Sequence, residues 1–230
     1  MYFVHADEIW SAHPSLYALT MVAGNVLGMQ DDPGRLEKLT PAIERRLAAG
    51  TESEMPEIAA WREAFSKMGM KPTQYRSASE ALLRRYRKEK SMPSFHPLVD
   101  YLNYVSMAYA IPIAAYDCAK IAGGITVRPA NGSETYVTFQ GETESPAPGE
   151  TIFADEEGNA HARRWTHRQS ARSVVTPATD RVLIVAEALH ADARRDIVSL
   201  EQELRATLPA AGLRIETAKH VTPADRRLEF

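Results

Sequence analysis

Apolar residues recur with helical spacing through most of the first 110 residues. Between residues 54 and 69, Ile58, Trp61, Phe65 and Met68 lie three or four positions apart, which places them on one face of a helix. The same spacing predicts four more helices, over residues 36–50, 77–93, 94–110 and 191–208.

Residues suited to helix ends support these boundaries. Ser77 or Ser79 can cap the helix that Pro93 stops, because a serine hydroxyl accepts a hydrogen bond from a free amide of the first turn. Gly50 suits the end of a helix, and Pro97 suits a first turn, where no amide hydrogen is needed.

After residue 111 the period of the pattern changes to two, which is typical of strands. Glycine, proline and acidic turns separate short segments at 123–129, 134–141, 150–158 and 161–168. The near-continuous apolar run at 182–189 predicts a central strand, and residues 16–26 and 212–221 predict further strands. Together the segments predict an α+β fold with a mixed or antiparallel, sandwich-like sheet and flanking helices.

Composition narrows the functional class. The chain has 230 residues, 44% of them apolar and 25% charged, and a formal net charge of −3, so nucleic acid binding would need a local basic face. We find no repeat, low-complexity segment or long linker, and expect residues 1–230 to form a single domain.

The single cysteine and the amino-terminal residues indicate a compartment. Cys118 has no intramolecular disulfide partner, which fits a reducing cytosol. The start MYFVHADEIW is acidic, and no run approaches the roughly 20 apolar residues of a membrane span. We therefore expect a cytoplasmic protein with no membrane partner.

The densest cluster of reactive side chains is RRWTHRQS at residues 163–170. As a strand it would place Arg163, Trp165, His167 and Gln169 on one face. One interpretation is an edge strand whose arginines prevent pairing with other chains. The other is a pocket or RNA-facing wall, in which tryptophan stacks, arginine binds phosphate and histidine moves a proton.

Two other features carry charge in unusual places. Arg84, Arg85, Arg87 and Lys88 form a basic helix face, which is either a solvated surface or a contact to an RNA backbone. Glu187 interrupts the apolar run at 182–189, so its carboxylate must be paired, exposed at a strand end or directed into a pocket, with the strand end favoured.

Motifs for the commonest enzyme mechanisms are absent. The sequence has no G-x-S-x-G, no phosphate-binding loop, no G-x-G-x-x-G and no H-E-x-x-H, and its seven histidines lack the close spacing of metal ligands. We accordingly predict no cofactor and no metal site.

The segment from about residue 75 to 190 resembles a known family. It is similar to the tRNA-editing module, the B3/4 domain, of the beta subunit of bacterial phenylalanyl-tRNA synthetase, whose pattern runs loosely V-V-D-x-x-N-Y-V, x-P-x-H-A-x-D and I-x-G-G-I-x-V-R. The matching residues, in order, are Val99, Asp100, Asn103, Tyr104, Val105, Pro112, Asp117, Ile121, Gly123, Gly124, Ile125, Val127 and Arg128. Residues 1–74 bear a weaker resemblance to the extension found in freestanding proteins with this domain.

The resemblance implies a B3/4-type fold and hydrolysis of a mischarged aminoacyl ester in trans, with aminoacylated tRNA as the partner. Since such an ester is already activated, positioning a water supplies much of the catalysis, and no strong nucleophile is needed. The implied water-orienting residues are His167 and Glu187. The implied substrate-binding residues are Asn103, Tyr116, Trp165 and Arg168, and the implied tRNA-backbone contacts are Arg84, Arg85, Arg87 and Lys88.

Departures from the family pattern leave a second hypothesis open. Ala114 stands where the family has a pocket histidine, the family's acidic strand residue falls on Val185, and RRWTHRQS replaces a glycine-rich pocket wall. Tyrosine specificity therefore does not carry over. The alternative is a non-catalytic module that binds tRNA, another RNA or an amino-acid-like ligand.

Overall fold

The computed structural model of the chain describes all 230 residues. Its strands are β1 (Tyr2–His5), β2 (Tyr17–Gly24), β3 (Ile113–Asp117), β4 (Ile125–Pro129), β5 (Tyr136–Val137), β6 (Thr143–Glu144), β7 (Thr151–Ala154), β8 (Ala160–Arg163), β9 (Arg168–Gln169), β10 (Arg181–Ala188), β11 (Arg214–Val221) and β12 (Arg227–Glu229). Its helices are α1 (Asp7–Ala12), α2 (Pro33–Glu37), α3 (Thr40–Ala49), α4 (Pro56–Lys67), α5 (Ala78–Glu89), α6 (Pro97–Tyr109) and α7 (Ala193–Ala210).

Two sheets form the centre of the molecule. The larger sheet has the order β12-β1-β4-β7-β8-β9 and is mixed, because β1 and β4 run parallel. The smaller sheet has the order β11-β2-β10-β3 and is antiparallel throughout. A separate hairpin pairs β5 with β6.

The alternation along β10 defines the layers. Ile184 and Ala186 face a core shared with α3, α5, α6 and α7, whereas Leu183 and Val185 face a second core between the two sheets. The second core also takes residues of the larger sheet, and α4 closes it with Trp61. The predicted α+β, sandwich-like architecture with flanking helices is confirmed.

Residues 1–74 contribute to both sheets. β1 pairs with β4 and β12 in the larger sheet, and β2 lies between β10 and β11 in the smaller one. The strand predicted over residues 16–26 and the central strand predicted over 182–189 are both observed. No helix in the structure has the length and the apolar character required to cross a membrane.

Three of the residues predicted at helix ends lie there in the structure, and the fourth, Pro93, does not. The hydroxyl of Ser77 accepts a hydrogen bond from the amide of Glu80 at 3.3 Å and caps α5. Gly50 follows α3, and Pro97 is the first residue of α6. α5 ends at Glu89, before the predicted stop at Pro93 is reached.

The prediction that residues 161–168 form a continuous strand is wrong. β8 stops at Arg163, residues 164–167 form a turn, and the chain resumes as the short edge strand β9. Arg164 and Trp165 adopt the left-handed conformation, with φ of 50° and 56°. Because bulky residues rarely take this conformation, nothing in their identity signals the turn.

A buried polar chain joins the end of β7 to β8. Asp155 accepts hydrogen bonds from Nε2 of His161 at 3.1 Å and from the amide of Asn159 at 2.8 Å, and Nδ1 of His161 lies 2.8 Å from the hydroxyl of Ser173. His161 and Ser173 have no exposed surface. This Ser-His-Asp chain therefore has a structural role, since no substrate carbonyl can reach the hydroxyl.

The buried hydrogen bonds of Asp155 also make the stability of the fold sensitive to acid. Burial alone would raise the pKa of Asp155, but hydrogen bonds from His161, Asn159 and the amide of Ala122 outweigh burial and hold it well below its usual range. A carboxyl whose pKa is depressed by folding stabilises the fold fully above its unfolded pKa of about 3.9. This contribution is lost as the pH falls below that value toward the pKa of the folded state.

We expect Asp155→Asn to reduce the pH dependence of unfolding. Between pH 5 and pH 3 the free energy of unfolding should fall by about 1 kcal/mol less in this variant than in the wild type, as measured in urea. Asp31→Asn, at an exposed position, is the control and should keep the wild-type dependence. Equal losses in the Asp155 variant and the wild type would contradict the assignment.

Candidate functional site

A small inner cavity lies between the two sheets, beside the turn at 164–167. Its volume is about 80 Å³. Five of the six side chains that the sequence predicted at a substrate site line it: Tyr116, Trp165, His167, Arg168 and Glu187. The sixth, Asn103, lies in an adjoining outer cleft.

Glu187 lies on the face of β10 that points to the larger sheet, and its carboxylate is buried. Nε2 of His5 donates to Oε1 of Glu187 at 2.7 Å, and Nε1 of Trp165 donates to Oε1 and Oε2 at 3.0 and 3.1 Å. The expectation that Glu187 is exposed at a strand end is wrong, because these two donors compensate the cost of burying its charge.

His5 is the residue of this site that sequence reasoning missed. It lies on β1, 182 positions before Glu187 in the chain. Its burial follows the alternation of β1, in which Phe3 and His5 point inward. The alternation signals an inward histidine, but nothing local in the sequence identifies its partner.

Trp165 is a fully buried ring, packed edge-on against Trp61 and His13 with centroids 4.9 and 4.8 Å away. Its backbone amide donates to the carbonyl oxygen of Thr151 at 2.8 Å, which pins the turn to β7. The interpretation of Trp165 as a stacking plane for a nucleobase is therefore wrong, since its ring has no exposed face.

His167 presents a free ring nitrogen. Its Nδ1 lies 2.8 Å from the carbonyl oxygen of Arg76, and because a carbonyl oxygen only accepts, Nδ1 carries the proton. The amide of Arg76 is farther from the same nitrogen, at 3.3 Å. Burial, with Arg164 and Arg168 nearby, lowers the pKa of His167 below 6.5, so at neutral pH its Nε2 is an acceptor.

Two hydroxyls complete the polar lining of the inner cavity. Oγ1 of Thr166 is buried and has no hydrogen-bond partner in the protein. Burial and the nearby Glu187 carboxylate raise the pKa of Tyr116, so its phenol stays protonated and can donate. An unpartnered buried hydroxyl costs free energy unless a water or ligand satisfies it, so Thr166 suits a polar occupant.

The three arginines of residues 163–168 have different roles. Arg163 is buried and forms ion pairs with Glu144 and with Glu150, the latter at 2.8 Å. The guanidinium of Arg164 stacks over the ring of Tyr75 at 4.7 Å. Arg168 is exposed at the rim of the inner cavity and forms no ion pair, so it is the one arginine of the three that is free to bind an anion.

The outer cleft has a volume of about 400 Å³ and is mainly apolar. Asn103, on α6, lies in its wall, and Phe95 and Phe139 flank it. Ile113, Ala114 and Gln169 line both this cleft and the inner cavity, so the two spaces are neighbours.

The basic face of α5 lies apart from these cavities. α5 rises about 1.5 Å per residue, so Arg84 and Lys88 lie about 9 and 15 Å along its axis from Ala78, which touches the inner cavity. Arg87 is tied down: it pairs with Glu52 and donates to the carbonyl oxygens of Leu47 and Gly50.

The other two arginines of this face also have acidic neighbours. Arg84 lies 3.8 Å from Glu52, and Arg85 lies 2.9 Å from Glu89. Of the four residues predicted to contact tRNA, Lys88 alone forms no ion pair. The Arg85–Glu89 pair lies at the surface, where such pairs contribute little to stability, so it can open. The pairs of Arg84 and Arg87 are made with Glu52, which is buried.

One group of side chains has the residue types of a metal site. One oxygen each from Glu57 and Asp196 and one ring nitrogen of His190 lie within 4.8 Å of one another. Arg46 lies 2.9 Å from Glu57, and Arg195 lies 2.9 Å from Asp196, so each carboxylate already has a cationic partner. The arginines fit an ion-pair network better than a divalent cation.

Comparison with known proteins supports the resemblance inferred from sequence. The model of the B3/4 domain family matches residues 60–203. The beta subunit of phenylalanine–tRNA ligase from Novosphingobium aromaticivorans is 36% identical over 76 residues, which are 33% of this chain and 10% of that protein. The same subunit from Chromobacterium violaceum is 28% identical over 144 residues, covering 54% of this chain and 18% of that protein.

A solved structure gives a further match. An amino-terminal fragment of the phenylalanyl-tRNA synthetase beta subunit from Pyrococcus horikoshii aligns with 95% of this chain and 53% of its own, with 11% sequence identity and a TM-score of 0.46. The chain thus spans less than a fifth of the length of the two ligase subunits described above.

Trp165→Phe tests the hydrogen bond that holds Glu187. We expect this variant to lose about 2 kcal/mol more free energy of unfolding than Trp61→Phe, since hydrogen bonds to charged groups contribute about 1.5–3 kcal/mol. Trp61 is the matched control: it is equally buried, packs against Trp165, and its Nε1 has no partner. Equal losses in urea unfolding would show that the bond to Glu187 contributes nothing.

Proposed function

This chain belongs to the B3/4 domain family, and from that premise we propose that it is an editing-type deacylase that hydrolyses mischarged aminoacyl-tRNA in trans. Its relatives are beta subunits of a tRNA ligase, so membership of this family favours tRNA as the partner. The observation that carries the proposal is the neutral His167, whose Nε2 is free and which lines the inner cavity.

The proposed reaction is general-base hydrolysis of the ester. Nε2 of His167 accepts a proton from a water as the water oxygen attacks the ester carbonyl carbon. The tetrahedral intermediate collapses, the carbon–oxygen bond to the terminal ribose breaks, and the protonated ring returns its proton to the leaving oxygen. The products are a free amino acid and an uncharged tRNA, and no covalent intermediate forms.

Glu187 has a different role in this proposal. Its Oε1 already accepts from His5 and Trp165, and its Oε2 accepts only the 3.1 Å contact from Trp165. A buried anion at the cavity wall attracts the α-ammonium group that every aminoacyl ester carries. We therefore assign water activation to His167 and placement of the amino group to Glu187.

Arg168, Tyr116 and Thr166 complete the proposed site. Exposed and free of ion pairs, Arg168 can bind a phosphate near the ribose with a bidentate contact. The protonated phenol of Tyr116 and the unpartnered hydroxyl of Thr166 are donors for the ester oxygen on which negative charge develops.

The size of the inner cavity favours a small amino acid. Its volume of about 80 Å³ is well below the roughly 300–1,000 Å³ of a typical small-molecule pocket. Alanine, serine and glycine have the smallest side chains, whereas the side chain of tyrosine carries a phenol ring. Trp165 and Arg168, which stand where the family has a glycine-rich wall, help to enclose this cavity.

One observation favours the alternative of a non-catalytic module that binds tRNA or an amino-acid-like ligand. Ala114, which lines both the inner cavity and the outer cleft, stands where the family pattern has a histidine. Binding of uncharged tRNA or of a free amino acid, without turnover of any ester, would select this alternative.

His167→Gln should abolish most of the hydrolysis of a susceptible mischarged tRNA. General-base catalysis raises a reaction rate about 10²- to 10⁴-fold, so we expect kcat to fall at least a hundredfold. The release of labelled amino acid measures this rate. Because the pKa of His167 is lowered and the neutral ring is the active form, the wild-type rate should fall only below pH 6.5. His220→Gln, a substitution on β11, should leave the rate unchanged.

The deacylase proposal would be contradicted if every mischarged tRNA were hydrolysed no faster with the protein than in buffer alone. If the His167 variant kept wild-type activity, His167 would not be the general base, although the protein would still be a deacylase.

Substrate size provides a separate test. We expect tRNAs charged with alanine, serine or glycine to be hydrolysed at least tenfold faster than the same tRNAs charged with tyrosine, because the phenol ring exceeds the inner cavity. Val185→Ala enlarges this cavity and should narrow the difference. Faster hydrolysis of the tyrosyl ester by the wild type would show that the cavity does not select its substrate by size.

A further inference from the structure

Exposed aromatic residues are concentrated at one place on the surface. Three large apolar side chains are strongly exposed: Leu27 at 60%, Phe95 at 69% and Phe139 at 67%. Both phenylalanines flank the outer cleft, although they come from segments more than 40 positions apart in sequence. Exposed aromatic surface beside a cleft marks a binding site more often than a single exposed residue does.

Hydrogen bonds order the segments that carry the two phenylalanines. The amide of Phe95 donates to Oδ1 of Asp100 at 3.0 Å, and the hydroxyl of Ser94 donates to its Oδ2 at 2.7 Å. Phe139 lies in the turn between β5 and β6, where the amide of Thr138 donates to the carbonyl oxygen of Glu142 at 2.8 Å. Ordered segments lose little conformational entropy when a ligand binds.

The cleft offers flat apolar surface and neutral polar groups. No charged side chain lines it. Nε2 of Gln169 donates to the carbonyl oxygen of Ala115 at 2.8 Å, which leaves its Oε1 available as an acceptor, and Asn103 offers both a donor and an acceptor. This combination suits a planar ring with hydrogen-bonding edges and does not suit an ion.

Two unpaired arginines are sequence neighbours of residues in the cleft wall. Arg168 precedes Gln169 in β9, and Arg172 lies two residues before Val174 in the cleft wall. Both side chains are exposed, and neither forms an ion pair. A purely apolar partner would not require them, whereas a nucleotide has a phosphate next to its base.

We propose that the outer cleft binds the unpaired terminal adenine at the 3′ end of tRNA. The base stacks against Phe95 and Phe139, its edge meets Asn103 and Gln169, and the adjoining phosphates bind Arg168 and Arg172. This inference rests on the proposed function: Ile113, Ala114 and Gln169 line both spaces, so an adenine in the outer cleft would lie next to the inner cavity in which the ester is hydrolysed.

Removal of the terminal adenosine tests this assignment on the full chain. Uncharged tRNA ending in CCA and the same tRNA ending in CC are titrated by fluorescence anisotropy at fixed salt. Wild type should bind the CCA form about 10- to 100-fold more tightly, the range that base–aromatic stacking supports. Phe95→Ala and Phe139→Ala should weaken binding of the CCA form and reduce the difference between the two tRNAs.

Two further variants control for aromaticity and for general loss of apolar surface. Phe139→Trp should keep the preference for the CCA form, and Leu27→Ala, an equally exposed apolar position outside the cleft, should bind as wild type. Thermal unfolding of each variant checks that the substitution has left the fold intact.

Equal affinity of wild type for the two tRNAs would overturn the inference. So would dissociation of a dimer into monomers in the phenylalanine variants, which would make the cleft a contact between copies of this chain. The deacylase proposal fails separately: a preference for the CCA form without hydrolysis of any ester would leave the adenine site standing and remove the activity.

Discussion

The structure depends on one buried carboxylate. Glu187 lies on the smaller sheet, and both of its hydrogen-bond donors, His5 and Trp165, belong to the larger sheet or to the turn between its last two strands. Burying a carboxylate without partners costs far more than a single hydrogen bond returns. His5 and Trp165 therefore stabilise the close approach of the two sheets.

The same constraint builds the candidate site. To reach Glu187, Trp165 takes a left-handed backbone conformation that closes β8 and β9 into a turn. The turn then places His167 and Arg168 on the inner cavity, while Arg163 remains anchored to Glu144 and Glu150. A residue that stabilises the core thus also positions the proposed base and the proposed phosphate ligand.

Periodicity was sufficient to predict the layers of the fold. Helical spacing located α3 to α7, and the apolar run at 182–189 gave the buried strand β10, because burial on a regular element repeats at a fixed interval. The family resemblance is confirmed by the match over residues 60–203, and the substrate-site residues that it implied line the inner cavity and the outer cleft.

What the sequence could not supply depends on contacts between distant residues. The turn at 164–167 carries bulky residues in a conformation that usually favours glycine, and it is fixed by Thr151 and Glu187. The pairing of His5 with Glu187 and of Arg87 with Glu52 likewise spans segments that only the fold brings together. Arginines alike in sequence therefore proved different in environment.

The central claim is that the inner cavity and the outer cleft are two parts of one site for an aminoacylated ribose. The most direct measurement is a crystal structure with 3′-deoxy-3′-(L-alanylamino)adenosine, whose amide bond resists hydrolysis. We predict that the alanyl group lies in the inner cavity beside His167 and Glu187, with the adenine against Phe95 and Phe139. Binding elsewhere on the surface, or adenine in the cleft with the alanyl group directed to solvent, would contradict it.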